Sequence, residues 1–155
     1  MAQPGKGHTI LVVEDDAAIL HLVQRILEKG NYDVLCANSA KEGERIGKEF
    51  PRPIDLLLAD VVMPDMIGPD LAALLKAQRP EMGVILMSGH PDGALLVLNS
   101  GWHFIRKPFV PQVLLEIIEA VLNGTTVEQV TDHFDPKVAE TVAEKPALPT
   151  ANRAA

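Results

Sequence analysis

The strongest constraint on this chain is an alternation of short apolar runs, each broken off by a polar residue, with amphipathic segments. Ile10-Leu11-Val12-Val13 stops at Glu14-Asp15-Asp16, and Val34 to Ala37 forms a second run. Ile54 to Ala59 leads into Asp60, Val84 to Met87 into Ser88-Gly89, and His103 to Arg106 into Lys107-Pro108. Continuous apolar runs of this length suit strands covered on both faces. Between them, Ala17 to Lys29 sets Ile19, Leu20, Leu22, Val23, Ile26 and Leu27 at helical spacing, and Gly30-Asn31 stops it. Asn38 or Ser39 can cap a helix from Ala40 to Phe50 that Pro51 and Pro53 terminate. Pro69 opens a helix to Ala77, Gly93 to Leu98 has room for about two turns, and Pro111 to Leu122 ends at Asn123-Gly124. Five strands alternating with five helices predict a parallel sheet with helices on both faces and right-handed crossovers.

A length of 155 residues fits one domain with short extensions. The pattern predicts a flexible segment at 1–8, the domain at 9–124, and a C-terminal extension at 125–155, partly helical or disordered. Val127 to Phe134 is the helical candidate there, and Lys145 to Ala155 reads as a mobile tail. A formal net charge of -7 argues against direct nucleic-acid binding, which needs clustered Lys and Arg. No stretch is apolar enough to span a bilayer, and Met1 to His8 lacks a signal-peptide core. With a single cysteine, Cys36, no internal disulfide forms, so a cytoplasmic location is expected. Cys36 sits in an apolar strand pattern, which predicts a buried, inert thiol.

In an open α/β sheet, residues at the strand carboxyl ends converge on one crevice. Glu14, Asp15, Asp60, Ser88 and Lys107 would meet there. Clustered carboxylates raise one another's pKa unless a cation sits among them, and a hard divalent ion such as Mg²⁺ fits oxygen donors. Such a site suits phosphoryl transfer, with Asp60 the nucleophile, Lys107 a point charge for a phosphoryl oxygen, and Ser88 a hydrogen-bond donor. Asp16 is better read as a helix cap. His8, His21 and His133 show no ligand spacing.

Four segments carry a family resemblance: Val12-Val13-Glu14-Asp15-Asp16, Asp60 through Met63-Pro64-Asp65 to Gly68, Met87-Ser88-Gly89, and Lys107-Pro108-Phe109. In this order, from Thr9 to Leu122, they resemble the motifs of two-component response-regulator receiver domains. The resemblance implies a flavodoxin-like (βα)₅ sheet of order 2-1-3-4-5, Mg²⁺ dependence with Mn²⁺ able to substitute, and phosphoryl transfer to Asp60. The donor would be a sensor histidine kinase or a histidine phosphotransfer protein, and the output a downstream protein partner. Asp15 and Asp60 would hold the metal with the Val62 backbone carbonyl, and Glu14 would act through water. Ser88 and Lys107 match the family's switch hydroxyl and lysine. Phe104 matches its switch aromatic, although a packed strand aromatic explains it equally well. Pro108 stands where the family often has a cis bond.

The segment between Ser88 and Lys107 is short and contains Pro91, Gly93 and Gly101, so helix four should be truncated or irregular. Together with the ending Phe104-Ile-Arg-Lys107-Pro108-Phe109, this is most similar to receivers attached to hybrid sensor kinases. Trp102 and His103 should lie partly exposed near the signalling face. Val62 and His90 stand where fast-hydrolysing relatives carry polar groups, so a long-lived acyl phosphate is expected. Aspartyl phosphatases on similar sheets need a second Asp two residues after the nucleophile, and Val62 occupies that place. An adaptor that has lost phosphorylation would not need the complete acid, hydroxyl and lysine set.

Overall fold

The computed structural model describes residues 7–90, 92–97 and 101–124. Its strands are β1 (Thr9–Val13), β2 (Asp33–Ala37), β3 (Leu56–Asp60), β4 (Gly83–Ser88) and β5 (His103–Arg106). Its helices are α1 (Ala17–Lys29), α2 (Ala40–Glu49), α3 (Gly68–Gln78), α4 (Gly93–Val97) and α5 (Pro111–Leu122). Neighbouring strands pair in parallel in the order β2-β1-β3-β4-β5. This is the flavodoxin-like arrangement expected. No described helix is long and apolar enough to cross a membrane.

The two-residue period of the strands divides the core. Leu11, Val13, Leu57, Ala59, Val84 and Leu86 face one apolar cluster, which Leu71 and Leu75 of α3 complete. Ile10, Val12, Leu56, Leu58, Ile85 and Met87 face the other, against Val23 and Leu27 of α1 and Leu114 and Ile118 of α5. Every residue of β1 is buried, which is why its sequence shows no polar alternation. Burying a Leu or Ile side chain contributes about 1.5–3 kcal/mol, so this double layer can hold acidic groups at its rim.

Local chemistry sets the helix ends. Asp16 caps α1, accepting from the Ala18 and Ile19 amides at 2.9 and 3.2 Å. Asn31 leaves α1 in the left-handed region at φ 68°, directly after Gly30. Ser39, rather than Asn38, caps α2 through the Glu42 amide at 3.1 Å.

Several expectations shift. β4 gains a residue at each end because Gly83 pairs with Leu56 and Ser88 with Arg106. Strand β3 begins at Leu56 rather than Ile54, and α3 gains Gly68 and Gln78. α4 is short, as expected. Cys36 is half-buried rather than buried, because β2 is an edge strand with incomplete cover. Burial still pushes its thiol pKa up. Residues 1–6, Leu98 and the whole extension from 125, including the helix expected near Val127 and the tail, lie outside the described residues.

Candidate functional site

Strand β1 connects outward to β2, and the chain then returns to place β3 on the other side of β1. The loops leaving β1 and β3 therefore diverge, and a crevice opens at their carboxyl ends. Glu14 and Asp15 follow β1, Asp60 ends β3, Ser88 ends β4, and Lys107 follows β5. Pairing of the Glu14 amide to the Ala37 carbonyl (3.1 Å) and of the Lys107 amide to the Ser88 carbonyl (2.9 Å) extends the sheet past its formal ends. These bonds aim both side chains into the crevice. The Lys107-Pro108 peptide is cis.

Lys107 Nζ donates to Glu14 Oε2 at 2.6 Å and lies 3.6 Å from Asp60 Oδ2. Glu14 is buried, with 1% of its side chain exposed, and its Oε1 accepts from the Asp16 amide at 3.1 Å. One carboxylate oxygen each from Glu14, Asp15 and Asp60 lie within 4.8 Å of one another. Three negative charges thus face one ammonium. At an effective dielectric of about 20, two carboxylates 4.8 Å apart repel by about 3.5 kcal/mol, so the excess demands a cation or a proton. The titration behaviour agrees. Burial pushes Glu14 above its ordinary value, against the pull of the Lys107 hydrogen bond and charge. Burial likewise raises Asp60; Lys107 lowers it and Asp15 raises it further. Hard oxygen donors with excess negative charge fit a divalent cation. Asp15 is exposed, so the cluster opens to solvent.

Ser88 is 1% exposed, and its Oγ accepts from the His90 amide at 3.0 Å. Its hydroxyl is held within its own loop. Val62 is 46% exposed and pairs with Ile67 in an isolated antiparallel bridge. Phe104 is half-buried, opposite Leu86 and packed on the cluster of α2 and α3. It is a core-facing strand aromatic in this arrangement. Trp102 and His103 are half-buried, and burial pushes the His103 pKa down. His90 is exposed.

Two residues of the motif after Asp60 support the site through contacts that the sequence did not specify. Asp65 reaches from the loop after β3 to α2, accepting from the Ala40 and Lys41 amides at 3.3 and 2.9 Å. That bond spans 24 residues and has no local signal. Met63, beside Pro64, is buried in the core and anchors the same loop. At Gly68 any side chain would overlap the Asp60 carbonyl oxygen, and its amide donates to the Val61 carbonyl at 2.7 Å.

An open parallel sheet whose carboxyl edge gathers an acidic cluster and a lysine defines a receiver class of signalling domain. The chain belongs to the response regulator receiver domain family, whose model matches residues 10–119. It is 32% identical over 117 residues to the sensor kinase CckA of Brucella abortus, covering 74% of this chain and 12% of that protein. It is 35% identical over 112 residues to the transcriptional regulatory protein AruR of Pseudomonas aeruginosa, covering 68% and 46% respectively. The chain thus spans less than half of either relative. Among solved structures, a receiver domain protein from Clostridium thermocellum matches with a TM-score of 0.70 and 35% identity, over 76% of this chain and 95% of that one. The receiver domain of the hybrid histidine kinase CckA matches with a TM-score of 0.64 and 32% identity, over 74% and 98%.

Proposed function

We propose that this receiver takes a phosphoryl group onto Asp60 from the phosphohistidine of a sensor histidine kinase or histidine phosphotransfer protein. An Asp60 oxygen forms the new P–O bond as the P–N bond breaks, and the electron pair leaves with the imidazole, which takes up a proton. Lys107 holds Asp60 from 3.6 Å and is placed to take the charge of a phosphoryl oxygen. Ser88 would leave the His90 amide and donate to another. Asp15, Asp60 and the Val62 carbonyl would hold Mg²⁺, or Mn²⁺ in its place, with Glu14 acting through water. Both Glu14 oxygens already have partners while Asp15 is exposed, which supports that division. The ion, when bound, supplies the positive charge that an incoming phosphoryl group needs.

Phosphorylation adds nearly two negative charges and three acceptor oxygens. Their pull on Ser88 and Lys107 would shift the face built from α4, β5 and α5, with Phe104 following, and so signal to a partner protein. The observation carrying this reading is the Lys107 ammonium shared between Glu14 and Asp60, with Asp15 in the same cluster. Intact-mass measurement after acetyl phosphate and Mg²⁺ treatment tests it. One phosphoryl group should appear on the wild-type chain and none on Asp60→Ala; equal labelling of both overturns it.

A further inference from the structure

Ser88 is buried where β4 meets α4, and the first residue of α4 is Gly93. The His90 carbonyl serves both: it accepts from the Gly93 amide at 3.0 Å and from the Ser88 hydroxyl at 3.4 Å. A Cβ on Gly93 would overlap Ser88 Oγ and come within 2.5 Å of Ser88 Cβ. The Ser88 side chain therefore fills the space a residue at 93 would need. Gly89, on the other flank, has no such constraint, because its added Cβ would meet only Lys107 Cβ at 3.7 Å.

We propose that Gly93 is a positioning residue for Ser88. Its missing side chain forms the seat in which the hydroxyl rests under α4, so that hydroxyl movement and α4 packing are one event. This rests on the receiver reading above. A side chain at 93 would meet the Cβ of Ser88 as well as its Oγ, so no rotation to another staggered well relieves the overlap, and α4 itself must move away from Ser88. The His90 carbonyl, shared by the Gly93 amide and the Ser88 hydroxyl, is then disturbed with α4. The resting hold on the hydroxyl weakens, and the population shifts toward the state a phosphorylated Asp60 would draw on, without phosphorylation. α4 would be read by a partner because the His90 carbonyl ties its first residue to the Ser88 hydroxyl, so that movement of one disturbs the other.

The test compares wild type, Gly93→Ala, Gly89→Ala and the double variant Ser88→Gly/Gly93→Ala by amide NMR, with and without acetyl phosphate and Mg²⁺. Unphosphorylated Gly93→Ala should move the amides of residues 92–97 and 103–106 toward their phosphorylated wild-type positions. Its phosphorylation half-time should shorten at least threefold. Gly89→Ala should match wild type in both readouts. The double variant, which transfers the Cβ from 88 to 93, should recover the resting spectrum. The proposal is overturned if Gly93→Ala behaves like Gly89→Ala, or if the double variant is no closer to wild type than Gly93→Ala, including the case where neither folds. Failure of wild type to gain a phosphoryl group would instead overturn the receiver chemistry, and the resting spectra would still decide the packing claim.

Discussion

Replacing Lys107 with Met keeps an unbranched apolar stem and removes the ammonium that faces Glu14 and Asp60. Glu14, 1% exposed, would retain only the Asp16 amide as a partner. Losing a charged hydrogen bond costs about 1.5–3 kcal/mol, and stranding a buried charge costs more. The carboxylate has an escape, which is to take a proton. From the ordinary value of 4.5 to pH 7, that costs about 1.4 kcal/mol per pH unit, or about 3.4 kcal/mol in all. The penalty at pH 7 should therefore lie between about 1.5 and 3.4 kcal/mol. Its sign with pH follows from linkage. In the variant the folded Glu14 pKa rises further, so the folded state keeps a proton that the unfolded chain releases. Stability relative to wild type is lowest near pH 7 and recovers as pH falls toward 4.5. Urea denaturation in EDTA across that range measures it, and Glu14→Gln added to Lys107→Met should restore most of the loss. A penalty below about 1 kcal/mol at pH 7, or one independent of pH, would refute the claim that this ion pair holds a buried charge.

Three further outcomes are expected. Val62→Asn should shorten the lifetime of the acyl phosphate by supplying a polar group beside Asp60, followed by loss of the phosphorylated mass after donor removal; an unchanged lifetime removes that argument. Asp16→Ala should cost about 1 kcal/mol of stability by uncapping α1, read as a lower urea midpoint, while phosphorylation of Asp60 continues. Burial lowers the His103 pKa below 6.5, so the unfolded chain takes up a proton first. Its contribution is intact above pH 6.5 and lost as pH falls through the folded value, so His103→Gln should flatten that part of the stability profile relative to wild type.

Much of this was legible in the residues. The strands announced themselves because both faces of β1 and β3 are buried, which forces unbroken apolar runs. Asp16 read as a cap because its carboxylate serves amides two and three residues on. Cys36 read wrongly because an apolar run does not say whether its strand stands at the centre or the edge of a sheet.

By itself, then, the sequence determined the alternation of elements, the helix caps, and which residues stand at strand ends, since these depend on neighbours a few positions away. Only the tertiary structure decided that Lys107 pairs with Glu14, 93 positions away, that Asp65 ties its loop to α2, and that Ser88 occupies the space missing at Gly93. Those relations arise from strand order and crossover packing, which bring together groups whose spacing along the chain carries no trace of their distance in space.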